Sequence, residues 1–154
     1  MNKNMIEIER KFLVKKDLLP KFEQEYLLIQ GYLVKNEYGS IRVRTEMLLN
    51  GGEAIAYLMS KTKIDEMSNY ETVDEISLEN AERYLRYYCG AIIRKTRGII
   101  HINGMKWEVD HFDFPNPGLY LAEIELSSAQ DKIELPEWID REVTGESQYY
   151  NVNM

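Results

Sequence analysis

At 154 residues, 44% hydrophobic and 29% charged, the chain has the size and composition of one globular domain, spanning 1–154, that can bury a sizeable core. A formal net charge of −7 argues against an open surface for a nucleic-acid backbone, so no nucleic-acid partner is expected; the balance bears on the surface and is compatible with a local basic pocket. The single cysteine, Cys89, excludes an internal disulfide framework and fits a reducing cytoplasm; the opening MNKNMIEIER lacks the apolar core of a leader, and no run approaches membrane-spanning length.

The first element expected is a strand over 5–14, where Ile6, Ile8 and Phe12 alternate with Glu7, Glu9 and Lys11. KKDLLPKFEQEY reads as a turn or short helix interrupted at Pro20. LLIQGYLV and SIRVRTEM form two strands joined by KNEYG, a hairpin signal. After a Gly-Gly turn, AIAYLMSKTKI and then NYETVDEIS continue the strand pattern. Ser77 and Glu79 open a helix that carries Ala81, Tyr84, Leu85 and Tyr88 at helical spacing. AIIRKTRGIIHI and MKWEVDHF flank the tight-turn dipeptide NG, and LYLAEIEL follows the loop FPNPG. The tail LPEWIDREVTGESQYYNVNM reads as mostly irregular with a short helical piece. About eight mostly antiparallel strands and two or three helices make the class α+β.

The polar positions of these strands share a property. They read Glu7, Glu9 and Lys11; Arg42 and Arg44; Lys61 and Lys63; Glu71 and Glu75; Lys95 and Arg97; Lys106, Glu108 and Asp110; Glu123 and Glu125. Like charges two residues apart on one strand lie roughly 6.5 Å from each other and repel. A solvated sheet face would explain any one pair, and a salt-bridge network between acidic and basic strands would explain several. If the sheet closes into a barrel, however, these side chains make a charged interior, which is costly unless its charges are paired, hydrated or bound to ligands. A polyanion with divalent cations satisfies both signs: Lys and Arg hold phosphate oxygens, and carboxylates hold Mg2+ or Mn2+.

These residues resemble a known family. EIERKFLV is similar to the E-x-E-x-K signature of the CYTH superfamily, the triphosphate tunnel metalloenzymes. The likeness runs through QGYL, IRVR, SKTK, RKTR, WEVD and AEIEL to EVTGESQYYN, over essentially the whole chain. The resemblance implies a closed eight-stranded antiparallel β-barrel with a few flanking helices and a C-terminal segment that partly plugs one end. By the same resemblance, Glu7, Glu9, Asp110, Glu123 and Glu125 match metal-side acids. Lys11, Arg42, Arg44, Lys61, Lys95 and Arg97 match phosphate-binding bases. For the catalytic step it offers Lys11, Glu71, Glu75 and Asp110. One departure is that Val73 stands between Glu71 and Glu75, where bacterial relatives commonly carry a third acid.

The expected activity is metal-dependent hydrolysis of a triphosphate, either inorganic tripolyphosphate or a nucleoside triphosphate, with Mg2+ or Mn2+ as cofactor. Two alternatives stand beside it: a class IV-type adenylate cyclase and a non-catalytic polyphosphate- or nucleotide-binding module. No membrane partner is expected, and a homodimer is left open. His101 and His111 show no zinc spacing, Cys89 reads as a small packing residue, and Tyr149 and Tyr150 as packing residues of the tail.

Overall fold

A computed structural model describes residues 5–154; the opening MNKN, read above for its lack of a leader, lies outside the described residues. The strands are β1 (Ile6–Val14), β2 (Gln24–Asn36), β3 (Gly39–Leu48), β4 (Ile55–Lys63), β5 (Ser68–Ile76), β6 (Ile92–Ile102), β7 (Met105–Phe114), β8 (Tyr120–Leu126) and β9 (Ile139–Glu142). The helix α1 (Leu78–Tyr87) follows β5. Hydrogen bonding runs β5-β4-β3-β2-β6-β7-β8-β1, and a β1–β5 pairing closes the circle. All these pairings are antiparallel. The expected closed barrel is therefore the observed one. The expected few helices reduce, among the described residues, to one α-helix and three single 3-10 turns.

Closure depends on how β1 divides its free edge. Near its start Ile6, Glu7 and Ile8 pair with Tyr70, Asn69 and Ser68 of β5. Near its end Phe12 and Val14 pair with Glu142 and Ile139 of β9. The β9 strand, IDRE, lies in the tail expected to be mostly irregular. It covers backbone groups that β5 does not reach, and an edge left open would invite further pairing.

Local signals account for several joints. The N–H of Asn80 donates to Ser77 Oγ at 3.0 Å, the N-cap that starts α1. Asn103 and Gly104 take φ of 54° and 76°, the left-handed pair required by the tight turn between β6 and β7. At Gly98 a Cβ would run into the Phe22 ring, so only glycine lets that ring lie flat on β6.

Alternation sends the apolar half of each strand outward. Phe12, Trp107, Val109, Ala122 and Ile124 form a buried cluster on the outer face of β1, β7 and β8, covered by Trp138 and Ile139. Trp107 lies 5.6 Å from Phe12 and 5.3 Å, edge-on, from Trp138, centroid to centroid. A second outer cluster buries Ala81 of α1 against Val43 and Ala56. The third is inside: Ile93, Phe112, Leu121 and Val143, with Leu13, Tyr32, Tyr149 and Met154 packed against them, make an apolar floor at one end of the barrel.

Candidate functional site

Above that floor the inward positions turn charged, and they surround a cavity of about 520 Å3. Glu7, Glu9, Lys11, Arg42, Arg44, Lys61, Glu71, Lys95, Arg97, Glu123 and Glu125 all line it. Strand register explains the gathering. Lys11 stands opposite Glu123, Glu9 opposite Glu125, and Lys61 opposite Glu71.

The charges are arranged as contacts between neighbouring strands. Lys61 Nζ lies 2.9 Å from Glu7 Oε1, 3.4 Å from Glu9 Oε1 and 3.8 Å from Glu71 Oε2. Lys11 Nζ is 3.4 Å from Glu123 Oε1. Asp110 is gripped on both oxygens: Arg97 donates to them at 2.7 and 2.9 Å, and Lys95 Nζ approaches Oδ2 at 2.8 Å. Both Asp110 oxygens are therefore engaged by cations.

The C-terminal tail enters the same space. Lys11 Nζ donates to the Tyr149 carbonyl at 3.2 Å and lies over the Tyr150 ring at 5.1 Å. Lys95 Nζ donates to Asn151 Oδ1 at 2.9 Å. The expected plug is present, and it engages two cations of the tunnel through neutral oxygens. Tyr149 packs on the floor as expected, whereas Tyr150 and Asn151 line the cavity.

Two expected site residues lie outside the cavity lining: Asp110, buried behind Arg97 and Lys95, and Glu75, which stands apart from the rest. Glu75 is exposed opposite Tyr57, on the inward side of β5. The β1–β5 pairing ends at Tyr70, so beyond Glu71 that wall has no described neighbour to enclose a carboxylate. Val73, opposite Met59, shares this open stretch. Lys63 lines the cavity but is exposed. Five lining acids carry no site role in the sequence reading: Glu37, Asp65 and Glu66 in the turns, and Glu46 and Glu108 on the strands. Glu46 continues the 42, 44, 46 alternation and contacts Arg44 at 3.4 Å, and Glu108 contacts Arg97 at 3.3 Å. Alternation itself was the available signal for these two.

Crowding shifts the protonation of this site. Burial pushes the Glu9 carboxyl up to about 8, helped by Glu123 and opposed by Lys61. Glu123 goes the other way: burial is outweighed by Lys11 and by the hydrogen bond from Glu9, so Glu9 holds the proton of the pair. Burial also raises Glu7, against the pull of Lys61 and with the help of Glu71, and it raises Glu125 alongside Glu7 and Glu108. Burial drives Lys95 down to about 7 despite Asp110, with Arg97 and Arg44 adding like charge.

Two buried atoms are left without a hydrogen-bond partner among the described residues, and they carry opposite character. Glu7 Oε1 is an acceptor whose approach to Lys61 lacks hydrogen-bond geometry; Arg42 Nε is a donor. An unpaired buried donor or acceptor is costly, so each is a place where a ligand would be gained. No three described carboxylate, imidazole or thiolate side chains gather about one point as they would around an ion. The all-oxygen donor set still fits Mg2+ or Mn2+, because such ions commonly take one or two carboxylates and complete their shell with substrate oxygens and water. His101 pairs with Glu23 and His111 stacks on Tyr120, and neither lines the charged cavity. Cys89 is half-buried beside Gly31.

Comparison with known proteins agrees with this geometry. The CYTH domain family model matches residues 5–153. An inorganic triphosphatase of Acetivibrio thermocellus is 37% identical over 149 residues, covering 96% of this chain and 92% of its own. A solved inorganic triphosphatase superposes with a TM-score of 0.63 at 30% identity, covering 96% of this chain and 92% of that one. A conserved hypothetical protein from Pyrococcus furiosus gives a TM-score of 0.59 at 25% identity over 80% of each chain. No described helix is long and apolar enough to cross a membrane.

Proposed function

Because the chain belongs to the CYTH family, we propose that it is a metal-dependent triphosphate hydrolase whose substrate lies in the charged tunnel, inorganic tripolyphosphate being the simplest such substrate. The observation that carries this reading is the mixed charge of one cavity, where Arg42 Nε is a buried donor without a partner and Glu7 Oε1 is a carboxylate oxygen met only by the Lys61 ammonium at 2.9 Å. A phosphate chain satisfies the first and a divalent ion the second.

Arg42, Arg44, Arg97 and Lys61 are read as the clamp on the phosphate chain, with Lys11 and Lys95 at the tail end. Lys11 and Lys95 would exchange the Tyr149 carbonyl and the Asn151 amide oxygen for charged phosphate oxygens, the stronger acceptors. Asp110 is a positioning residue that holds the Arg97 and Lys95 heads in place. Glu7, Glu9, Glu123 and Glu125 would hold Mg2+ or Mn2+, which supplies charge neutralisation at phosphoryl oxygens. Glu71, loosely placed at 4.0 Å from Arg42 and 3.8 Å from Lys61, is the carboxylate left to orient a water. Water oxygen bonds to the terminal phosphorus, the bridging P–O bond breaks, and pyrophosphate leaves as the water proton passes to solvent or phosphate. Preorganised charge, rather than a covalent step on the protein, supplies the rate.

Incubation with Mg2+ or Mn2+ and tripolyphosphate or ATP, followed by separation of products, tests the reading. Phosphate with pyrophosphate from tripolyphosphate, and phosphate with ADP from ATP where it is used, is the expected outcome. Cyclic AMP with tripolyphosphate untouched would favour the cyclase, and no turnover with tight binding would favour the non-catalytic module.

A further inference from the structure

The inward face of the barrel changes character along its length. Toward the tail it is an apolar floor, then a charged zone, and away from the tail it turns aromatic and aliphatic again. On β6, Lys95 and Arg97 give way to Ile99, and on β2 the residue opposite Arg97 is Tyr26. There a second cavity of about 270 Å3 opens, with Leu28 and Ile99 as apolar wall and the half-buried Tyr26 ring beside them. Arg97, Lys106, Glu46 and Glu108 line both cavities, so the two adjoin.

We propose that this second cavity is a vestibule for the base of a nucleoside triphosphate whose phosphates occupy the tunnel, with Tyr26 as the aromatic face against the heterocycle. The inference rests on the tunnel being the triphosphate site. An inorganic phosphate chain has no use for an aliphatic wall and an aromatic ring, and it carries no donor for Oε1 of Glu46 and Glu108, whose contacts with Arg44, Arg97 and Lys106 all go to Oε2. A nucleoside supplies a flat apolar ring for the first and ribose or amine donors for the second. Orientation follows from the tail. Its contacts with Lys11 and Lys95 close the opposite end to a bulky group, so the base sits on the Arg97 side and the terminal phosphate points toward Lys11. Tyr26 is no core residue: its ring is half-buried, and its hydroxyl donates to Gln24 Oε1 at 3.1 Å on an exposed stretch of β2.

The test compares wild type with Tyr26→Ala and Tyr26→Leu, using Mg2+ with ATP and Mg2+ with tripolyphosphate. KM is read where turnover occurs, and the dissociation constant is read by calorimetry without metal. Both variants are expected to weaken ATP by about tenfold while leaving tripolyphosphate within about twofold, the loss expected for one base–aromatic contact. Intact tripolyphosphate handling also shows that the variants fold. Equal shifts for both substrates, or none for either, overturn the vestibule. A wild type that turns over neither substrate would sink the hydrolase reading instead, and the calorimetric ratio of ATP to tripolyphosphate would still decide the vestibule.

Discussion

The two faces of the β1–β7–β8 wall differ more than their shared backbone suggests. Outward, Phe12, Trp107, Ala122 and Ile124 are nearly inaccessible to solvent and pack on Trp138. Inward, one residue away on each strand, Lys11, Glu108, Glu123 and Glu125 face a cavity. Barrels of this size usually fill their interior with side chains. Here the filling lies largely outside, under the segments before β2 and after β8, and only the floor near the tail is apolar. The lesson is a division of labour within one strand. Even and odd positions are under different physical demands, stability on one side and ligand charge on the other.

Breaking the outer face should damage stability and spare chemistry. Trp107→Ala should lower the unfolding free energy by about 3–5 kcal/mol, read by denaturant titration. The specific activity of the folded fraction should stay near wild type; a lost activity with unchanged stability would dissolve the distinction.

On the inner face the effects should reverse. Glu7→Gln keeps shape but removes the charge of a carboxylate that lines the cavity, and kcat should fall about a hundredfold or more with unchanged circular dichroism. Arg42→Ala removes the orphaned donor, and its loss of about 1.5–3 kcal/mol should raise KM for tripolyphosphate and for ATP together, by roughly ten- to a hundredfold. If only one substrate responded, Arg42 would not be gripping the shared phosphate chain.

The smallest effect belongs to an outer charge. Arg10 makes a two-pronged contact with Glu142 at 2.8 and 2.7 Å, partly in water. Arg10→Ala should cost no more than about 1 kcal/mol, shrinking further at high salt, with activity unchanged.

Much of this contrast was legible because alternation is a local property. Glu7, Glu9 and Lys11 announce a two-faced strand on their own, and the same period recurs through Arg42–Arg44 and Glu123–Glu125. The resemblance to the CYTH superfamily supplied closure, which no single strand can declare. What escaped depends on how strands slide past each other. Glu75 keeps the inward parity of Glu71, yet the β1–β5 pairing ends at Tyr70 and leaves it exposed. The β9 strand is four residues long and exists because β1 has a vacant edge after β5 departs, information held elsewhere in the chain. Asp110 matched an acidic signature residue, but only the fold shows Arg97 and Lys95 occupying both of its oxygens.

If the inner carboxylates are held against stability for a ligand's sake, Glu9 should show it. Its pKa rises on folding from 4.5 to about 8, so the folded state favours the neutral form. The stability contributed by that proton is complete below the unfolded pKa and is lost as pH climbs through the folded value. A glutamine at this position does not titrate. Unfolding free energies of wild type and Glu9→Gln, measured from pH 5 to pH 8 in EDTA, should diverge with rising pH in favour of the variant. Added Mg2+ with tripolyphosphate should stabilise wild type more than the variant. A gap that stays flat with pH, or a variant that is less stable than wild type at pH 8, would contradict the account.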